Sequence, residues 1–154
     1  MTTTPYLPDD LPRPVPAADG LDAPYWAATR RHELVVQRCR ACRTWQWTPE
    51  WVCHRCLSDD LGWAPVAPEG RIYSWERVWH PAPPAVAPAV PYLVVLVELP
   101  YVDGVRMVGN LLGDPLQLVT IEAPVAAVFE DHDEADAPFT LVQWELTPGP
   151  PWRQ

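Results

Sequence analysis

Two Cys-x-x-Cys pairs set close together, five short β-rich segments after them, and 21 prolines with nine tryptophans in 154 residues predict a mainly β chain. Proline interrupts helices and tryptophan favours strands. The expected order is a Pro-rich acidic arm at 1–22, a helix plus metal-clamped ribbon at 23–66, a five-stranded barrel at 67–148, and a short tail at 149–154. That length suits one compact domain, or one carrying a small appendage.

The arm, MTTTPYLPDDLPRP onward, is acidic and without periodicity, which reads as a segment ordered only on contact. It also lacks the basic end and apolar run of a secretory leader. With the longest apolar run, Tyr92 to Val97, being strand-sized rather than membrane-sized, a soluble cytoplasmic protein is expected. Next, "APYWAATRRHE" from Ala23 to Glu33 reads as a short helix with Pro24 in its first turn. "LVVQ", Leu34 to Gln37, reads as a strand entering the first cysteine pair.

All four cysteines fall in "CRACRTWQWTPEWVCHRC". In Cys39-x-x-Cys42 and Cys53-x-x-Cys56, each pair forms a knuckle whose two sulfurs point at one metal, and two knuckles complete a tetrahedron of thiolates. Two disulfides would suit an oxidising compartment. A thioredoxin-like redox pair needs only one Cys-x-x-Cys opening a helix. The double spacing favours one structural Zn²⁺ per chain, with iron as the alternative. Four protein sulfurs leave no open coordination position, so the metal would fold the segment rather than catalyse. Trp45, Trp47 and Trp51 between the knuckles suit a short hairpin with one packed face. Arg38, Arg40, Arg43 and Arg55 crowd the same stretch. A zinc tetrathiolate is formally dianionic, so these cations either balance its charge or recognise a phosphate or carboxylate.

The barrel strands are expected at Arg71–Trp79, Tyr92–Leu99, Val105–Leu112, Val125–Glu130 and Phe139–Leu146, with a turn at Asp103-Gly104. Five short strands with Gly70 at the first one's entrance match a small antiparallel barrel of the OB type. His80 opens a stiff apolar loop, HPAPPAVAPAVP, whose Pro83 and Pro84 either fold against the barrel or dock on a partner. Residues 130–136, "EDHDEAD", read as a solvated acidic loop, without the Gly and closing Glu of a calcium loop.

The net charge of −9 is unevenly spread, and the chain has no lysine. Residues 30–77 hold eight Arg against six acids, whereas residues 78–154 hold two Arg against ten. The acidic C-terminal half opposes a long polyanion, whose binding rests on phosphate neutralisation. A single-stranded nucleic-acid module is therefore the lesser alternative. No spare cysteine, Gly-rich phosphate cradle or nucleophile elbow is evident, so catalysis by this chain alone is not expected.

The order "PYW", "LVVQRCRAC", "CHRC", "LGWAPVAPEGRIYSW", "PYLVVLVEL", "VRMVGNLLG", "PVAAVFED" resembles the acyl-CoA-associated family in which a rubredoxin-like zinc ribbon precedes an OB-fold. The match runs over roughly residues 23–146. It departs from the family pattern at Glu50, where Arg commonly follows the proline, and at Ala123, where Gly is frequent. The resemblance implies a small non-catalytic partner of a thiolase-superfamily protein, either a thiolase or a retro-aldolase of steroid side-chain degradation. It further implies a heterotetramer built on the partner's dimer, with the acyl-CoA held mainly by the partner. A hotdog-fold hydratase is the other partner that the family offers. On this reading Arg38, Arg40, Arg43 and Arg55 face CoA or another anion, and Trp45, Trp47, Trp51, His80, Pro83 and Pro84 face the partner.

Overall fold

A computed structural model describes residue 11 and residues 15–17, 20–81, 83–133 and 137–149. Most of the expected arm and nearly all of the expected tail lie outside the described residues. One helix, α1 (Ala23–Thr29), precedes two antiparallel sheets. The first has the order β2-β1-β3, formed by Trp45–Gln46, Val35–Cys39 and Leu61–Pro65. The second has the order β6-β5-β4-β7-β8, formed by Arg106–Asn110, Tyr92–Glu98, Glu69–Val78, Pro124–His132 and Phe139–Leu146.

The five expected barrel strands are all present. The sheet curls without closing into a continuous ladder. Its edge strands β6 and β8 approach at a parallel bridge between Leu111 and Trp144, where the Leu112 N–H donates to the Trp144 carbonyl at 2.7 Å. Gly109 permits that approach, because a Cβ there would lie 2.8 Å from the Trp144 indole. Trp144 is fully buried, beside Ile72, Leu93, Val95, Val97 and Leu111.

Simple alternation fails in β4. A bulge between Ile72 and Ser74 shifts the register, so Ile72 faces the core opposite Val97 whereas Trp75 and Arg77 face it further along, opposite Val95 and Leu93. One extra residue flips every later side chain to the other face. Arg77 thereby reaches loop carbonyls, donating to Pro115 at 2.7 Å and Gln117 at 2.8 Å. On the opposite face, Tyr73 lies under the Arg106 guanidinium.

The helix ends at Thr29, four residues earlier than the sequence suggests, and His32 turns the chain with φ of 58°. Helix and turn bridge the two sheets. Tyr25 packs on Trp47 of the ribbon at 4.9 Å, while His32 stacks on Phe129 of the barrel at 5.1 Å. Arg30 donates to the Thr140 hydroxyl at 3.2 Å, and His32 Nε2 lies 2.9 Å from Asp131 Oδ2. Partial burial works against ionised Asp131, but the Thr140 hydroxyl, His32 and Arg30 outweigh it and hold that carboxyl below its ordinary range.

Residues 130–132 are not the solvated loop that their acidity suggests. Glu130 and His132 are buried on β7, with His132 Nε2 2.9 Å from Glu130 Oε1 and Gln143 Nε2 donating to Glu130 Oε2 at 3.1 Å. Alternation along the nine-residue strand puts both on the face opposite Val125, Ala127 and Phe129, which pack on the main core. Residues 134–136 of the expected loop lie outside the described residues. The proline loop carries a 3-10 helix, Pro84–Ala89, none of whose residues is buried.

Candidate metal centre and its surroundings

The two cysteine pairs fold into copies of one turn. Cys39 N–H donates to the Thr44 carbonyl at 2.9 Å, and Arg43 N–H donates to the Cys39 carbonyl at 2.9 Å. Cys53 N–H donates to Ser58 at 2.8 Å, and Leu57 N–H donates to Cys53 at 2.9 Å. In each copy the residue four places after the first cysteine takes a positive φ, 68° at Arg43 and 63° at Leu57. That reversal swings the second sulfur back beside the first. Backbone N–H groups also point at sulfur, from Cys42 to Cys39 Sγ at 3.5 Å and from Arg55 to Cys53 Sγ at 3.4 Å.

The knuckles face each other, with all four Sγ atoms within 4.8 Å of one another. Cys39 and Cys56 sulfurs lie 3.6 Å apart, and those of Cys42 and Cys53 lie 3.5 Å apart. A zinc tetrathiolate with bonds of about 2.3 Å has sulfurs about 3.8 Å apart along each edge. No disulfide joins these cysteines. The donor set and its spacing therefore fit a tetrahedral Zn²⁺, which would draw off the thiol protons and tie β1 to the second knuckle. The sulfurs are electrostatically unequal. Hydrogen bonds from the Thr44 hydroxyl and backbone pull Cys42 down to about 6. Cys56 is pushed up to about 12: the Ser58 backbone N–H opposes the rise, but proton sharing with Cys42, burial and the other two thiols outweigh it.

Two buried glutamines hold the loop between the knuckles, and sequence reasoning missed both. Gln37 Oε1 accepts from Gln46 Nε2 at 2.6 Å and from the Glu50 N–H at 3.0 Å, while its Nε2 donates to the Glu50 carbonyl at 3.0 Å. Gln46 Oε1 accepts from the His54 N–H at 3.3 Å, at the entrance of the second knuckle. The available signal was an amide inside an apolar strand, "VVQRC", and another between two tryptophans. Strand β3 was missed too, because "LGWAP" lacks β-branched alternation. It forms by pairing with β1 from Val35–Pro65 to Cys39–Leu61.

Trp45 and Trp47, expected at a partner surface, are half-buried within the chain. Trp45 packs under the Arg38 guanidinium, 4.5 Å from its ring centroid, and Trp47 meets Tyr25 and Trp63. Trp51 is 75 % exposed, and His80, Pro83 and Pro84 are exposed as well. Of the four arginines, Arg38, Arg40 and Arg43 line one cleft, and Arg55 is exposed away from it.

Two family models cover this arrangement. The rubredoxin-like zinc ribbon domain of ChsH2 matches residues 26–62, and the C-terminal OB-fold domain of ChsH2 matches residues 63–130. A solved chain of the "Ltp2-ChsH2(DUF35) aldolase" is 35 % identical, with 87 % of this chain and 98 % of that chain covered at a TM-score of 0.70. The chain belongs to the ChsH2 zinc-ribbon and OB-fold family. Among relatives, the "Probable enoyl-CoA hydratase alpha subunit" of Thermomonospora curvata is 38 % identical over 84 % of this chain and 38 % of its own length. The "3-oxo-4,17-pregnadiene-20-carboxyl-CoA hydratase alpha subunit" of Mycobacterium tuberculosis is 31 % identical over 90 % of this chain and 41 % of its own. The chain thus spans about two-fifths of these curated relatives. A DUF35-family structure from Sulfolobus solfataricus, 9 % identical with a TM-score of 0.57, shares the fold. In the described residues no helix is long and apolar enough to cross a membrane.

Proposed function

We propose that this chain is an accessory subunit of an acyl-CoA carbon–carbon bond enzyme, partnering a thiolase-superfamily protein that supplies the reacting groups. The single observation that carries the reading is the match to the aldolase complex chain, which is covered almost end to end. The chain's own inventory is in keeping with it. Its cysteines converge in the ribbon, and Glu130 and His132 are buried. One Zn²⁺ per chain, held by Cys39, Cys42, Cys53 and Cys56, would keep the ribbon rigid.

A partner surface is available on the barrel. Strand β5, "YLVVLVE", is apolar on both faces: Leu93, Val95 and Val97 are buried, while Tyr92, Val94 and Leu96 are half-buried on the other side. A strand apolar on both faces is characteristic of one covered on both. Val108 of β6, 69 % exposed, extends that outer patch opposite Leu96. Trp51 and the proline loop add exposed apolar area of the kind enriched at interfaces.

Hydratase partnership is the second reading, favoured by the names of the two curated relatives. The two are separated by affinity capture of the tagged chain from its native cells, followed by native mass spectrometry and by retro-aldol and hydration assays of the complex. The account expects a stoichiometric thiolase-superfamily partner, a heterotetramer, one zinc per chain, and carbon–carbon cleavage or condensation. A hotdog-fold partner with hydration activity would replace it with the second reading. Recovery of the chain alone would sink both.

A further inference from the structure

We propose that the loop over residues 112–123, between β6 and β7, is a preformed docking knob. Its Leu116, Leu118 and Ile121 would enter an apolar hollow, rimmed by basic side chains, on the partner subunit. The inference rests on the subunit reading above and adds to it a contact made by residues other than those of β5.

The stretch "LQLVTI", Leu116 to Ile121, is patterned against solvation. Leu118 is 85 % exposed, Leu116 61 % and Ile121 53 %, whereas Val119 turns into the core. Gln117, the residue that water would solvate best, is instead half-buried, and its Nε2 donates to the Leu112 carbonyl at 2.8 Å. Folding gains little from three large aliphatic side chains left in water within six residues. Clustered exposure of this kind marks an interaction surface.

The backbone beneath these side chains is pinned from end to end. Gly113 opens the loop with φ of 101°. The Asp114 carbonyl accepts from the Gln117 N–H at 2.9 Å, and Asp114 Oδ1 accepts from the Leu116 N–H at 2.8 Å. Arg77 of β4 holds the Pro115 and Gln117 carbonyls. Glu122 closes the loop with φ of 67°, its N–H donating to the Ile72 carbonyl at 2.8 Å and its carboxylate meeting Arg71 at 2.6 Å. A loop fixed beforehand in this way loses little conformational freedom on association.

Charge selects the occupant. The charged residues of the loop are Asp114 and Glu122, both acidic, and residues 78–154 hold two Arg against ten acids. Arg77, the cation below the loop, is half-buried and turned to backbone carbonyls. A complementary surface is therefore apolar at its centre and basic at its rim. A second copy of this chain would bring like charge, which repels. Anionic membrane surfaces attract polybasic segments, and this chain has no lysine. A folded partner with a basic rim fits the pattern best.

The test titrates the zinc-loaded full chain and its variants against the partner purified from the complex captured in native cells. The double variant Leu116→Ser, Leu118→Ser should bind about tenfold or more weakly, with zinc content and circular dichroism unchanged. Asp114→Asn keeps an acceptor for the Leu116 N–H but removes the charge. It should slow association severalfold at low salt, with the difference fading at high salt. Hydroxyl-radical labelling of Leu116 and Leu118 should fall in the complex relative to the free chain. Full affinity in the double variant, or equal labelling in free and bound chain, would overturn the knob while leaving the subunit reading intact. An unchanged association rate in Asp114→Asn would overturn the basic rim. A leucine-dependent dimer in ultracentrifugation, or leucine-dependent sedimentation with phosphatidylserine vesicles, would overturn the choice of partner. Recovery of the chain alone would overturn both readings.

Discussion

The ribbon and the barrel solve the same problem with different chemistry. The barrel excludes water with hydrocarbon: Ile72, Leu93, Val95, Val97, Leu111 and Trp144 are all buried in one cluster. Val35 and Val36 of β1 join that same cluster, but around the knuckles the ribbon buries Cys39, Cys53, Thr44 and the glutamines Gln37 and Gln46. A unit that small cannot bury enough apolar surface to offset chain entropy. Around the knuckles, metal coordination and an amide network take the place of a core. Each half is therefore fragile in its own way.

Losing the metal should have the largest effect. Cys53→Ala removes one of four sulfurs, and zinc binding by such ribbons is of order 10–16 kcal/mol in apparent terms. The variant is expected to retain no zinc and to lose ordered ribbon signals in NMR, while the barrel signals persist. Collapse of both sets together would mean that the two halves are one cooperative unit. Next comes the barrel's own weak point. Trp144→Ala should cost about 3–5 kcal/mol and lower the melting temperature on the order of 10 °C. Zinc affinity should change little. A matching fall in zinc affinity would erase the proposed independence.

A smaller effect tests the amide network. Gln37→Leu keeps a strand residue but removes the acceptor of the Glu50 N–H. It also removes the nearer of two acceptors of Gln46 Nε2, which keeps only the Val52 carbonyl at 3.4 Å, a loss of about 1–3 kcal/mol. Zinc affinity should fall while the barrel's melting stays put. The smallest effect concerns the joint between the halves. Ionised Asp131 is stabilised by Thr140, His32 and Arg30, so its contribution is complete above the unfolded value of about 4 and fades as pH falls through its lower folded value. Asp131→Asn should therefore melt earlier than the natural chain at pH 7, with the gap narrowing toward pH 3. A gap that widens in acid would reverse the assignment.

What the sequence made legible follows from how local each signal is. The cysteine spacing is a local pattern with one efficient geometry, so the convergence of the four sulfurs was readable residue by residue. Strands β5 to β8 carry β-rich runs bounded by turn residues, and they too were plain. The bulge after Ile72 was not, because it is defined by the register against β5 rather than by β4 itself. Strand β3 depends on its partner for the same reason. The burial of Glu130 and His132 requires knowing that β7 runs through "EDH", where acidity alone suggests a loop. Among the arginines, composition showed a cluster, but only the pairing of Arg38 with Gly62 separates the three around the cleft from Arg55.

Zinc rather than hydrocarbon is expected to order the two knuckles, while the barrel stands by its own packing. Hydrogen exchange on the full chain, with and without removal of zinc by a chelator, tests it most directly. Amides of β2 and both knuckles, Cys39 and Cys53 among them, are expected to lose protection on zinc removal, while β5 and β7 amides keep theirs. Knuckle amides that stay protected without metal would contradict it.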